Sequence, residues 1–200
     1  MRYSSAVGRL RAITADLDRL AGFDEDFLLE EAWVFGELLD GPDQPDVVSL
    51  ALVVDLPAEE VTWCARPASA EALASSLRFE KYPLRWFWRP MVWPVWNHAI
   101  NRAVRFWSKG AGTDMAALDA LVRRRFEDLT VVAPPDAGAL RGQLVIDFEA
   151  ARLHLRQVVD RYDDPGWRRE HKGFGVYPED HLWWAAKGFL EVETALKGMS

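Results

Sequence analysis

The sequence predicts an α+β domain, and three observations carry that expectation. Residues 47–56 are almost unbroken apolar side chains, with Ser49 the sole polar member before Asp55. That is the pattern of a strand buried on both faces. Apolar stripes at three- and four-residue steps precede it in residues 4–20 and recur in residues 115–129, 140–158 and 182–196, as in amphipathic helices. Half of the 200 residues are apolar and 28% are charged, a globular balance in a chain long enough to bury a sizeable core. The expected architecture is a small mixed β-sheet with flanking helices, followed by a helical C-terminal part. The division falls between residues 1–112 and 113–200.

Each element has a local reason. Ser4 or Ser5 is placed to cap a first helix whose stripe is Val7, Leu10, Ile13, Leu17 and Leu20, and Gly22 ends it. Ala32, Trp33, Val34 and Phe35 form a short strand pattern. Gly36 closes it, where positive φ or a close backbone approach is wanted. GPDQPD has turn composition, and Pro57 stops the apolar strand that follows. Residues 58–64 suit a turn or a short strand. Residues 69–79 suit a helix capped by Ser69, with Leu73 and Leu77 on one side.

Five of the ten tryptophans then fall between Trp86 and Trp107. Pro83, Pro90 and Pro94 exclude a long helix there, and residues 102–107 suit a returning strand. KGAGT is a loop, without the length or spacing of a phosphate loop. The 115–129 helix follows, then Pro134 and Pro135, then a long helix over 140–158. DDPGW breaks that helix, and a last helix begins near Asp180.

Charge and cysteine usage narrow the function classes. The net charge of -7 gives no general attraction to nucleic acid. It is unevenly spread. Residues 1–64 carry four Arg against fourteen Asp and Glu, while residues 65–107 carry seven basic and two acidic residues. Arg123, Arg124 and Arg125 form a basic run from which one member can face the acidic first third. Cys64 stands alone, so no intramolecular disulfide and no thiolate ligand cluster can form within the chain. That fits a reducing, cytoplasmic setting, and a small buried filler is the simplest role for the thiol. The first residues are too broken by charge for a secretory segment, and no apolar run approaches the length of a membrane span.

The stretch EAWVFGELLDGPDQPDVVSLALVVD, after the residue 4–20 helix, resembles the opening of nucleotidyltransferase-fold proteins. In that superfamily a helix precedes a strand ending in Gly-Ser, and the next strand carries Asp-x-Asp. Here the strand ends at Phe35 and Gly36, and the next strand is the apolar run. The whole chain also resembles an uncharacterised actinobacterial family of unknown function in EAWVFGELLDGPD, RPMVWPVWNHAI and YPEDHLWW. The nucleotidyltransferase resemblance implies a nucleotide held at Gly-Ser and magnesium held by the paired aspartates. The residues depart from both. Glu37 replaces the serine, and Val48 and Leu50 stand where the aspartates belong. Sliding the register brings Asp46 to one position but leaves Val48 at the other. Alternate strand residues share a face, so without that pair no two carboxylates converge on a divalent ion. The expectation is a catalytically inactive, nucleotidyltransferase-like domain with no catalytic residue, no metal and no cofactor, binding a small-molecule ligand or a protein partner.

Two other readings follow from candidate residues. An enzyme with relocated groups would draw on Glu37, Asp43 and Asp46 in the acidic turn beside Gly36, or on His171 and His181. The latter two flank RREHKGFGVYPEDH, a segment that also suits a plain loop with Pro178 and Glu179 opening the next helix. His98 and Arg102 lie in WPVWNHAINR beside Trp93 and Trp96. An aromatic wall with a few polar groups suits a small-molecule pocket, and equally a packed core with satisfied edges. The third reading is a structural or protein-interaction module whose exposed aromatics form a homo-oligomer face.

Overall fold

The computed structural model of the chain describes residues 1–23, 27–173 and 176–199. Its helices are α1 (Tyr3–Ala21), α2 (Ala68–Ser76), α3 (Met115–Arg123), α4 (Ala137–Arg161), α5 (Pro165–Glu170) and α6 (Pro178–Gly198). Its strands are β1 (Leu29–Phe35), β2 (Val48–Val54), β3 (Leu84–Pro90), β4 (Ala103–Ser108), β5 (Gly112–Thr113) and β6 (Val131–Val132). The fold is α+β, a mixed sheet flanked by helices with a helical C-terminal segment. The strand order is β3-β2-β1-β4-β5, and β6 pairs with β4. β2 runs antiparallel to β1 and parallel to β3, and β1 runs antiparallel to β4.

β2 lies between β1 and β3 and is buried along its whole length. Both faces need cover, which is why its sequence scarcely alternates. Val48, Leu50, Leu52 and Val54 join Ala32 and Val34 beneath the α1 stripe of Val7, Leu10, Ile13 and Leu17, with α2 and α3 completing that layer. Ala51 and Val53 join Trp33 and Phe35 on the opposite face, where Leu144 of α4 and Val192 of α6 cover them. Between β1 and β4 the register passes from Ala32 opposite Trp107 to Trp33 opposite Arg105. Phe106 is the extra residue of a bulge, so Phe106 and Trp107 both enter the α1 layer.

Asp18 ties α1 to the sheet margin. It accepts from the Trp107 indole at 2.7 Å and from the Thr113 hydroxyl at 2.6 Å. The second layer is held by a fully buried ion pair. Arg89 of β3 and Asp147 of α4 approach to 3.3 Å with both side chains 0% exposed. Gln143 donates to Asp147 at 2.9 Å, and Arg89 also donates to the Pro94 carbonyl at 3.1 Å.

Some boundaries differ from the expected ones for physical reasons. α1 starts at Tyr3, so Ser4 and Ser5 lie inside its first turn rather than at its cap. The Tyr3 backbone N–H donates instead to the Asp43 carbonyl. Ser69 likewise lies within α2, whose cap position is Pro67. α3 stops early because Arg124 adopts a left-handed conformation at φ 55°. The aromatic stretch at residues 84–90 is a strand, although Pro83 precedes it and Pro90 ends it. β3 pairs on one side only, and Pro90 is its last residue, where a missing N–H is tolerated.

Candidate functional site

The acidic turn after β1 carries Glu37, Asp40, Asp43 and Asp46. Gly36 takes φ +72° beside the Ser49 side chain and turns the chain into a short 3-10 helix. The acids beyond it go to separate partners. The Glu37 carboxylate accepts from the Asp46 backbone N–H at 3.0 Å, which fixes the turn. Asp40 lies 3.5 Å from Arg102, and Asp43 lies 2.9 Å from Arg124. Arg124 is thus the member of the basic run that faces the acidic first third. Among the described residues no group of three or more His, Cys, Asp or Glu side chains is placed to hold a metal ion. No helix of the described residues is long and apolar enough to cross a membrane.

His98 packs edge-on against Trp63, with ring centroids 5.1 Å apart. Burial pushes its pKa down, and Asp147 and Glu191 partly offset that. Its neighbour Asn97 uses its side-chain oxygen to accept from the N–H groups of Ala99 and Ile100, a local turn. Trp63 in turn stacks on Phe87 at 4.3 Å and donates to Glu191 at 2.7 Å. Trp63 and Phe87 are core beneath α6, while Trp93 and Trp96, the expected wall, are half-buried and line a separate cleft with Trp33.

His171 and His181 do come together, and a third histidine joins them. A cleft of about 400 Å³ is lined by His154, His171, His181, Arg66, Trp167 and Trp184, among others. Three short sequence devices build it. His154 lies on the inward stripe of α4 with Asp147, Ala151 and Val158. Asp164 caps α5 by accepting from the Trp167 N–H at 2.6 Å, and His171 follows the end of that helix. Pro178 opens α6, and Asp180 reaches back to accept from the Tyr177 N–H at 2.8 Å. His181 is thereby held in the first turn. Phe174 and Gly175, between the two histidines, lie outside the described residues.

The rings form a chain of contacts. Trp167 stacks on His171 at 4.1 Å, His171 meets His181 edge-on at 5.0 Å, and His181 meets Trp184 at 5.7 Å. The His171 Nδ1 lies 2.9 Å from the Trp167 carbonyl oxygen. Burial pushes the His181 pKa down to about 4, reinforced by the neighbouring His171 and His154, with Asp180 opposing. Burial also lowers the His154 pKa, against a hydrogen bond with the Glu59 backbone. Arg66 pairs with Glu71 at 3.1 Å and lies over the Trp86 ring at 4.4 Å.

One pH dependence follows. An imidazole with a depressed folded-state pKa remains neutral where the unfolded chain already takes a proton. Stability is therefore full above the ordinary histidine value near 6.5 and falls as the pH drops from there towards about 4. Urea titrations across this range should show the loss, and His181→Gln should reduce it, leaving the part that His98 and His154 contribute.

Residues 1–198 match the family described as DUF7711, a domain of unknown function. The chain belongs to that family. No curated protein and no solved structure matches it. In this DUF7711 chain the histidine cleft is the place where the described structure gathers imidazoles, indoles and a guanidinium. Sequence reasoning placed His171 and His181 together but left His154 aside. The available signal was a polar side chain on a buried helical stripe. Arg66, Trp167 and Trp184 carried no comparable mark, because they converge only where the segment before α2 meets α4, α5 and α6 at the cleft.

Cys64 is half-buried rather than buried, with its thiol 3.6 Å from the Glu191 carboxylate. It holds a left-handed φ of 64° beside the close contact with α6. Burial and the Glu191 carboxylate push its thiol up to about 12, so the nucleophilic thiolate is scarce at neutral pH. Disulfide-exchange reagents at pH 8 should label the native chain slowly and the urea-unfolded chain rapidly. Fast labelling of the native chain would contradict this geometry.

Proposed function

We propose that this DUF7711 chain is a non-catalytic ligand-binding domain on a nucleotidyltransferase-like scaffold, and that the histidine cleft is its binding site. The scaffold reading is supported by the order α1, β1, positive-φ Gly36, acidic turn, β2. The observation that carries the loss of nucleotidyl transfer is the fate of the carboxylates. Glu37, Asp40 and Asp43 are spent on three different partners, and β2 offers only Val48, Ser49 and Leu50 beside them. Phosphoryl and nucleotidyl chemistry needs acids converging on a divalent cation.

The cleft is the better-equipped location for a ligand. Its size suits a small molecule, and its aromatic walls carry a few directed polar groups. A thermal-shift screen tests the reading, since anything that binds the folded state raises the melting temperature. Nucleoside triphosphates with magnesium should give no shift that requires both components. Ligands that do stabilise the chain should act without a metal and lose their effect in His171→Gln. Stabilisation by nucleotide and magnesium together, abolished by Glu37→Gln and untouched by His171→Gln, would overturn it.

A further inference from the structure

We propose that the histidine cleft takes a small organic anion, a carboxylate or similar oxyanion on a flat apolar body, and that the cleft imidazoles take up protons as it binds. The inference rests on the cleft being the ligand site.

The polar groups of the cleft are asymmetric. His171 faces the Trp167 carbonyl through Nδ1, and His154 shares a hydrogen bond with the Glu59 backbone. A carbonyl accepts only, so neutral His171 donates its one N–H there. The second ring nitrogen is left as a bare acceptor. A proton added at that nitrogen turns the acceptor into a charged donor, the group an oxyanion needs. The rings of His171 and His181 are 5.0 Å apart, and charge on one disfavours charge on the next. An oxyanion bound in the cleft beside both rings offsets that repulsion and favours protonation. Binding and proton uptake are therefore one linked event.

The remaining charges leave room for this. Arg66, from the segment before α2, is paired with Glu71, and Arg161 of α4 lies 3.9 Å from Glu170 of α5. Glu59 and Glu60 line the rim and are exposed, where water and salt screen them. Asp180 faces His181 from the same turn of α6 and is already bound to the Tyr177 N–H. Among the residues that line the cleft, Arg66 and Arg161 stand against Glu59 and Glu60, so with neutral imidazoles the lining is balanced and each proton taken up makes it more positive. The flat body of the ligand has a wall in Trp184, which meets His181 edge-on, and in the stacked Trp167–His171 pair.

The test uses the full chain and three probes of one shape. Benzenesulfonate is an anion at every pH used, benzamide is neutral, and benzylammonium is a cation. Binding is followed through the histidine ring resonances by NMR, from about pH 7.5 to about pH 5.5, a span that brackets the ordinary histidine range. Benzenesulfonate should tighten by about threefold or more on acidification, through linkage to proton uptake. It should raise the titration midpoint of His181. His181→Gln and Arg66→Gln should each weaken it, and melting curves identify whichever variant keeps the parent fold. Benzenesulfonate binding that is flat with pH, or no stronger than benzamide binding, overturns the anion inference. If benzamide or benzylammonium still perturbs the cleft histidines, the cleft stands as a ligand site. If none of the three probes moves those resonances, the inference and the site both fail.

Discussion

Replacing Gly188 by alanine is expected to cost about 3 kcal/mol, the upper end of the usual overpacking range. For a chain of this size that lowers the melting temperature by about 6–12 °C. A Cβ at position 188 would lie 2.0 Å from the Trp63 carbonyl oxygen and 3.0 Å from its carbon. Non-bonded heavy atoms settle at about 3.5–4.0 Å, so something must move. The obstruction is backbone, and it is pinned. Trp63 stacks on Phe87 of β3 and donates to Glu191 one turn further along α6. The remaining relief is for α6 to lift from the sheet, which uncovers Val192 and the second core layer. Because α6 also carries His181 and Trp184, the histidine cleft should loosen with it. Gly142→Ala is the matched control. It lies on the exposed side of α4 with no atom within 4 Å of the added carbon, and it should stabilise the chain by about 0.5–1 kcal/mol through helix propensity alone. If Gly188→Ala melts with the parent, α6 does not dock on Trp63 as described.

How far the sequence anticipates all this depends on the range of the interaction. β2 was legible because seven buried positions in a row leave a local record, and α1 because its stripe repeats over 19 residues. The turn at Gly36 was legible for the same reason, whereas the parallel pairing that makes the sheet mixed is that of β2 with β3. β3 was not legible, because prolines mask an edge strand whose pairing is settled by a neighbour thirty-odd residues earlier. The helix starts were shifted because the Tyr3 N–H found a tertiary acceptor in Asp43 instead of a local serine. In the cleft, the His171–His181 pairing followed from closeness in sequence. His154 joins them through the packing of α4 against α6, which no local pattern encodes. Gly188 shows the same limit. A glycine inside a helix reads as a mild defect until the backbone it touches is known.

The second large effect should come from the buried ion pair. Asp147→Leu leaves the Arg89 guanidinium charged and 0% exposed, with the Pro94 carbonyl still accepting from it. Removing one member of such a pair typically costs about 3–5 kcal/mol, because the surviving charge has been taken out of water. Asp147→Asn should cost less than Asp147→Leu. It gives up the charge but keeps an oxygen for the Gln143 amide, which donates at 2.9 Å. The informative variant is the double replacement Arg89→Met with Asp147→Leu. With both charges gone, the desolvation cost disappears as well, and most of the lost stability should return. Recovery should stay incomplete until Gln143 is also replaced by methionine, since its orphaned donor costs about 1–3 kcal/mol. Guanidinium titrations at constant slope read the series directly. A double variant as unstable as Asp147→Leu alone would mean that the pair holds β3, α4 and the Pro94 segment together through its directed hydrogen bonds. A recovered double variant would mean that those elements are held by the apolar layer around Leu144 and Val192, with the ion pair selecting how α4 sits on it.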